Sequence, residues 1–196
     1  MPARGDHDAR RRDVSEAVWR VLAARGFGGL TLRAVAAEMG ASTGLLTHYF
    51  PNKKALVDYA LDIADERTAA RRVREVQAEG LPALRSALLD VLPLTAGSAA
   101  MNRIWVSSWD GALANPERAS REKSRYDHWR SRLRPHVAAA VDLGELPASS
   151  DVDGLVATVA AFTHGLVIQA LFDPDRFPPV RQTELLDAFL TSISRP

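Results

Sequence analysis

Four small or hydrogen-bonding residues lie within one short segment of the chain: Thr43, Gly44, Thr47 and His48. Their spacing places them together on one face of a helix. Such side chains donate and accept hydrogen bonds without bulk, which suits contact with base edges in the major groove of DNA. A glycine inside a helix costs roughly 1 kcal/mol relative to alanine, so Gly44 indicates a close approach of the backbone to a partner.

The segment that carries these residues has the pattern of a helix, a tight turn and a second helix. Thr31 and Ser42 are each typical of a helix N-cap, and Gly40 supplies the left-handed residue that ends the first helix. Apolar residues repeat at helical spacing and give each helix an inward face: Leu32, Val35, Ala36, Met39, Leu46 and Phe50. The pattern predicts a helix-turn-helix over about residues 31–50 whose second helix enters a DNA major groove.

Basic residues surround this segment. The net charge of the chain is only +1, yet residues 1–57 hold nine Lys or Arg against five Asp or Glu, and the remainder is net acidic. Lys53 and Lys54 open the helix that follows, where a bound phosphate would explain basic side chains at the positive end of the helix dipole. Tyr49 can offer its hydroxyl to a phosphate, and Arg10–Arg12 can add contacts from the N-terminal arm.

The same segment resembles the TetR family of transcriptional regulators over about residues 12–58. The resemblance rests on the runs Thr31–Ala36, Gly40–Gly44, His48–Phe50 and Lys53–Leu56. It implies that Tyr49 and Lys53 contact phosphates. It also implies that the four residues named first, Thr43, Gly44, Thr47 and His48, face the groove. The full predicted DNA-binding set is Thr31, Arg33, Ser42, Thr43, Gly44, Thr47, His48, Tyr49, Lys53 and Lys54.

Two positions depart from that family's pattern. Thr47 stands where many members have an aromatic residue, so the family pattern leaves the base preference of this chain open. Lys54 stands where many have an acidic residue, and it is expected to strengthen non-specific affinity for DNA.

Helical periodicity continues through the rest of the chain, and strand signals are scarce. We therefore expect an all-α fold of about nine helices, with a three-helix DNA-binding unit at residues 1–57 and a helical ligand-binding and dimerisation domain at residues 58–196. The fourth helix is expected to join the two. The predicted helices are Asp8–Ala24, Thr31–Met39, Ser42–Phe50, Asn52–Glu79, Pro82–Leu92, Ser98–Ala114, Pro116–Leu143 with a kink at Pro135, Asp151–Phe172 and Pro179–Ile193.

Aromatic residues in the C-terminal part recur at helical spacing. They predict either a small-molecule pocket with a few polar groups or a plain hydrophobic core. A carboxylate such as Asp110 near the rings would allow a cationic ligand through cation–π contact. The predicted ligand-binding set is Met101, Trp105, Trp109, Tyr126, Trp129 and Phe162.

The C-terminal part also resembles the betaine-pathway repressor subgroup of the same family over about residues 80–190. The resemblance rests on Trp105–Trp109, Asn115–Glu117, Tyr126–Arg130, Gly144–Leu146 and Gly165–Pro174. The best-known member of that subgroup senses choline. Because effector specificity diverges within such subgroups, the resemblance leaves the effector of this chain open.

The last two helices are apolar on more than one side, which predicts burial on more than one side. A second subunit would provide the cover, and the family resemblance implies a four-helix bundle between two copies. The predicted interface residues are Leu155, Val159, Leu166, Leu186, Phe189 and Leu190. His164 interrupts this apolar run. It is interpreted as a buried histidine with a hydrogen-bond partner, as a hydrogen-bonding residue at the interface, or as a ligand contact.

Several classes of protein are disfavoured by what the sequence lacks. Cysteine is absent, which removes thiol chemistry and disulfides. No catalytic or metal-binding motif is found, so we expect no enzyme, no cofactor and no metal site. No secretory signal and no run of about 18 apolar residues is seen, so we expect a cytoplasmic protein without a membrane partner.

The sequence therefore predicts a homodimeric, ligand-responsive transcriptional regulator, a repressor, that binds a pseudo-palindromic DNA operator and an unidentified small-molecule effector. Two alternatives stay open. One is a small-molecule binding or sequestering protein with a vestigial DNA unit, and the other is a helical protein–protein adaptor.

Overall fold

The computed structural model describes residues 4–70 and 78–194, with side chains from residue 12 onward, and these ranges contain nine α-helices and no strand. The helices are α1 (Arg4–Arg25), α2 (Leu32–Glu38), α3 (Thr43–Tyr49), α4 (Lys53–Ala69), α5 (Gly80–Leu89), α6 (Ala96–Leu113), α7 (Pro116–Asp142), α8 (Val152–Phe172) and α9 (Pro179–Ile193). The predicted all-α class is confirmed.

One predicted helix is too long. The fourth helix was expected to reach Glu79, but α4 ends at Ala69, and Ala78 and Glu79 are not helical. Residues 71–77, which belong to the predicted fourth helix, lie outside the described part of the chain. No Gly or Pro stands between Asn52 and Glu79. The absence of a breaker is a weak guide to a helix end, because packing more than propensity sets helix length.

The described residues form two compact units. The first comprises residues 4–70 together with Arg103–Trp109 of α6, so it extends beyond the boundary predicted at residue 57. Its core is made where α1 packs against α2 and α4, and α2 against α3. The side chains at its centre are fully buried: Val18, Leu22, Leu30, Val35, Leu46 and Leu56.

The α6 segment of this unit is fixed by polar contacts. The indole Nε1 of Trp105 donates a hydrogen bond of 3.2 Å to the hydroxyl of Thr68, and the backbone amide of Phe27 donates one of 3.2 Å to Ser107 Oγ. These bonds hold the segment against the residues of α4 and of the turn after α1.

The second unit is a helical core formed by α5, α7, α8 and α9. Its central side chains are Leu84, Leu88, Leu133, Val137, Val159 and Leu186, each exposed by 1% or less. Arg85 on α5 donates from Nε and Nη2 to the two carboxylate oxygens of Asp187 on α9, at 2.5 and 2.9 Å. This two-point contact links the two helices at their exposed edge.

The start of α5 is held from the loop after α7. Gly80 has φ +64°, and the carboxylate of Glu145 accepts a hydrogen bond of 2.6 Å from the amide of Leu81. A Cβ atom at Gly80 would lie 2.0 Å from Glu145 Oε2. Glycine is therefore required here both by the backbone and by the close approach of the carboxylate.

Two smaller expectations concern α7 and α8. Helix α7 runs without interruption from Pro116 to Asp142 and contains Pro135 in its interior, and the kink expected there stays a prediction. The expectation that no segment is apolar enough to cross a membrane is wrong for α8, which meets that test by length and composition. Core helices of soluble proteins meet the same test, and nine of the α8 residues belong to the core of the second unit or pack against it: Val152, Leu155, Val156, Val159, Ala160, Phe162, Leu166, Val167 and Leu171.

Candidate nucleic-acid interface and effector site

Three side-chain caps set the positions of α2, α3 and α4. Thr31 Oγ1 accepts a hydrogen bond of 3.0 Å from the third amide of α2, and Ser42 Oγ accepts one of 3.4 Å in α3. Asn52 Oδ1 does the same for α4 at 2.9 Å. Gly40, with φ +62°, turns the chain between α2 and α3. The predicted helix-turn-helix is therefore built from the residues that the sequence indicated.

Helix α3 has one buried face and one exposed face. Leu46 is fully buried and Phe50 is exposed by only 5%, with its ring 5.2 Å from that of Tyr59 on α4. The opposite face consists of exposed residues: Thr43, Gly44, Thr47 and His48. The four residues predicted to contact base edges thus share a surface that faces away from the core of the first unit.

Packing within the described chain does not require a glycine at position 44. A Cβ atom built there would meet only Ser42 Oγ, at 3.8 Å, which is an ordinary van der Waals contact. The hydroxyl of Thr47 donates a hydrogen bond of 2.8 Å to the carbonyl of Gly44. Its proton is therefore used by the backbone, and the side chain keeps its methyl group and an oxygen lone pair for a partner.

The residues predicted to contact phosphate flank this face. Tyr49 is half-buried, with its ring 5.9 Å from that of His48. Lys53 is exposed at the first position of α4. Lys54 is also exposed, but its Nζ lies 3.9 Å from Asp58, one turn further along α4. Lys53 therefore presents the less compensated charge of the two.

The remaining predicted DNA contacts lie on the same unit. Arg33 on α2 is exposed, as is Arg12 on α1. The side chains of Arg10 and Arg11 lie outside the described residues, so the predicted contribution of the arm stays a prediction.

The aromatic residues predicted to line one pocket are divided between the units. Trp105 and Trp109 belong to the first unit, where Trp105 is exposed by 6% and is bonded to Thr68. The indole nitrogen of Trp109 is buried and has no hydrogen-bond partner among the described residues. Met101 is half-buried in the second unit, and Asp110, the suggested carboxylate, is exposed.

In the second unit, the structure brings Tyr126 and Trp129 of α7 together around His164 of α8. The imidazole centroid lies 5.0 Å from the ring of Tyr126 and 4.6 Å from that of Trp129. Burial, followed by the charges of Arg125 and Arg130, lowers the pKa of His164 to about 4. Burial raises the pKa of Tyr126. Both side chains are therefore uncharged at neutral pH.

Phe162, the remaining residue of the predicted pocket, makes a different contact. Its ring stacks on that of Phe189 of α9, with centroids 4.0 Å apart and planes 7° from parallel. Among the described residues, no three His, Asp or Glu side chains lie close enough to share a metal ion.

Comparison with known proteins identifies the family. The family model of the N-terminal domain of TetR-type bacterial regulatory proteins matches residues 15–60, and the model described as "BetI-type transcriptional repressor, C-terminal" matches residues 81–195. The chain belongs to the TetR family. The resemblance inferred from the helix-turn-helix and from the C-terminal motifs is thereby confirmed, and the chain is a DNA-binding transcriptional regulator of that family.

Individual relatives of this TetR-family chain are also transcriptional regulators. The HTH-type transcriptional regulator PksA of Bacillus subtilis (strain 168) is 28% identical over 90% of this chain and 85% of its own length. BetI of Stenotrophomonas maltophilia (strain R551-3) is 25% identical over 79% of this chain and 83% of its own length.

Solved structures show the same fold. A transcriptional regulator from Rhodococcus sp. Rha1 matches with a TM-score of 0.77 at 24% identity, covering 93% of this chain and 94% of its own. A regulator from Saccharomonospora viridis, crystallised in complex with choline, matches with a TM-score of 0.77 at 23% identity, covering 94% and 96%. That likeness concerns the fold, and the choline belongs to the other protein.

The residues predicted to face a second TetR-family subunit need correction. Val159, Leu166, Leu186 and Leu190 are exposed by 6% or less in the single chain, because they pack into its own core. Apolar periodicity indicates burial but does not say what provides it. Leu155 and Phe189 are half-buried, and their part in an interface stays a prediction.

Sequence reasoning missed the side of α8 that is exposed. Ala157, Ala161 and Gly165 follow one another at four-residue spacing on that side, and Phe172 continues it with 81% of its surface exposed. On α9, Val180 is 70% exposed. The signal was present as small residues at helical spacing, but the larger apolar residues between them dominated the pattern.

Proposed function

We propose that this regulator is a homodimeric repressor that reads operator DNA with α3 and responds to a small organic effector bound in the C-terminal unit. The observation that carries the proposal is the exposed face of α3, which is backed by the buried Leu46 and Phe50 and left open at Gly44. Because Gly44 relieves no contact within the described chain, its missing side chain supports the close approach of a partner to this face.

Within this proposal, phosphate and base contacts have separate residues. Lys53 and Tyr49 bind the DNA backbone and set the register of α3, whereas Thr47 and His48 distinguish base pairs. Lys53→Ala should weaken binding to all sequences alike and reduce the slope of log affinity against log salt by about 1. Thr47→Ala and His48→Ala should instead reduce the ratio of operator to random-DNA affinity. Fluorescence anisotropy over a salt series measures both, and equal losses on both DNAs would refute base readout by Thr47 and His48.

A dimer would present two copies of α3 to two half-sites separated by about one helical turn of DNA, roughly 34–36 Å, or a multiple of it. The exposed sides of α8 and α9 are the surface we assign to that dimer, and homodimers are typical of the family. Ala161→Glu should shift the chain to monomer, because a carboxylate would be buried without a partner between close-packed helices. Sedimentation equilibrium would measure this, with Ala119→Glu on the exposed side of α7 as the matched control.

Effector control requires that the effector bind one state of the dimer more tightly than the other. Addition of the effector should then raise the dissociation constant for operator DNA. A cytoplasmic location follows from the proposal, since the operator is chromosomal. A gel shift against the promoter upstream of its own gene distinguishes the proposal from a sequestering protein or an adaptor, neither of which would retard that DNA.

A further inference from the structure

The C-terminal unit contains a histidine whose hydrogen-bonding capacity is unused within the described chain. His164 lies against Tyr126 and Trp129, which both keep part of their surface exposed. Its interactions are with these rings and with the nearby charges, and no hydrogen bond to either ring nitrogen is found among the described residues. A neutral imidazole has one donor and one acceptor, so this half-buried ring keeps both available to a polar ligand.

The aromatic surface of this cluster is already in use. The guanidinium carbon of Arg125 lies 5.1 Å from the ring centroid of Tyr126, and the imidazole of His164 covers part of Tyr126 and of Trp129. A quaternary ammonium ion binds in proteins against open aromatic faces. The chain's own cation therefore already lies against the ring of Tyr126, where a second cation would be repelled.

Among the described residues, the carboxylates beside this cluster are already paired with the chain's own cations. Glu122, with only 13% of its side chain exposed, accepts two hydrogen bonds from Arg125, at 3.2 and 2.6 Å. Asp127 accepts from Lys123 at 2.9 Å and from Arg130 at 2.5 Å. These two carboxylates face three cations, so the pairs leave an excess of one positive charge beside His164. Arg125 and Arg130 are the charges that act on its imidazole.

We propose that the effector bound at Tyr126, Trp129 and His164 is a small organic anion, a carboxylic acid with a compact apolar part. Its carboxylate accepts a hydrogen bond from the imidazole and lies in the positive potential of Arg125 and Arg130, while its apolar part packs on Trp129. This inference rests on the proposed function, which supplies the existence of an effector, and it adds the chemical class of that effector. It sets this chain apart from the structural neighbour that was crystallised with choline.

Three probes of the same shape and different charge test it. They are choline, its uncharged carbon isostere in which a quaternary carbon replaces the nitrogen, and tert-butylacetate. The last is the anion of tert-butylacetic acid, also named 3,3-dimethylbutanoate. Isothermal titration calorimetry on the full chain should give the tightest binding for tert-butylacetate, at least about tenfold tighter than for choline, because one charge-assisted hydrogen bond contributes about 1.5–3 kcal/mol. The uncharged isostere should lie between them.

Variants assign the effect to the cluster. His164→Phe keeps a ring and removes both nitrogens, and it should weaken tert-butylacetate binding about tenfold. Arg130→Gln should also weaken it, whereas Arg132→Gln, the same charge change at an exposed position of α7, should not. Equal or tighter binding of choline would overturn the proposal, as would an unchanged affinity in His164→Phe or the failure of all three probes to bind at tens of millimolar.

The same protein preparation distinguishes the two levels of inference. Operator binding measured without any probe tests the proposed function alone. If DNA binding is intact and choline binds most tightly, only the ligand class is wrong. If no DNA is bound at all, the proposed function fails whatever the probes do.

Discussion

Replacing Gly44 by alanine should stabilise the protein and weaken its binding to DNA. Gly44 is the second residue of α3 and has no left-handed backbone angle, so alanine fits its conformation. The added Cβ meets only Ser42 Oγ at 3.8 Å, which costs nothing within the chain. Among the described residues, the new methyl group changes only the surface that we propose approaches base edges.

The expected changes in stability and in DNA affinity follow from these contacts. A Gly-to-Ala change at a compatible site stabilises by about 0.4–1 kcal/mol, mainly by restricting the unfolded chain. For a chain of this size, that raises the melting temperature by about 1–4 °C. At the DNA surface, an extra methyl group in a close-packed contact costs about 1–3 kcal/mol, which corresponds to roughly a 5- to 150-fold loss of affinity at each half-site.

A matched control exists in the same chain. Gly97 is the second residue of α6, it follows an N-cap Thr95, and its Cβ would meet only Thr95 Oγ1, at 3.9 Å. Gly97→Ala should therefore give a similar gain in melting temperature and no change in DNA affinity. Thermal unfolding and fluorescence anisotropy with operator DNA measure the two quantities. Wild-type DNA affinity in Gly44→Ala, or a loss of stability, would refute the reasoning.

Three further predictions concern the second unit. Gly144→Ala should cost about 1–2 kcal/mol from its φ of +73° alone, whereas Gly80→Ala should cost at least about 1 kcal/mol more, because its Cβ also meets Glu145; equal losses in urea unfolding would contradict this. Asp187→Asn should lower the free energy of unfolding at pH 7 by under ~1 kcal/mol. The hydrogen bond from Arg85 lowers the pKa of Asp187, so the difference from the wild type should begin to shrink as the pH falls below the ordinary value of 3.8 and vanish only below the lowered pKa of the folded state. The pKa of His164 is lowered from 6.5 to about 4, so the free energy of unfolding of the wild type should fall by about 2 kcal/mol between pH 7.5 and pH 5. A His164→Gln variant should not show this loss. If the stability curves of the two proteins are parallel over this pH range, the imidazole is not desolvated.

The helix-turn-helix was readable from the sequence because its determinants are local. Thr31, Ser42 and Asn52 cap the helices that begin directly after them, and Gly40 turns the chain with a positive φ, whatever the rest of the fold does. The inward direction of Leu46 follows from the helical period in the same way.

The effector site and the subunit interface were less readable because their determinants are not local. Spacing along α7 placed Tyr126 near Trp129, but only the packing of α7 against α8 brings His164 to both rings. Apolar spacing identified Val159 and Leu186 as buried, yet it gave no means of telling the chain's own core from a partner's surface. The end of α4 was missed for a related reason, since no residue type marks it.

The most direct test of the account is the ratio of affinities of the full chain for operator and scrambled DNA of equal length at physiological salt. If α3 reads bases, the operator should bind about a thousandfold more tightly or better, and Thr47→Ala or His48→Ala should reduce this ratio while leaving binding to the scrambled DNA nearly unchanged. Equal affinity for the two DNAs, or a ratio that these variants do not alter, would contradict the claim that this helix recognises an operator.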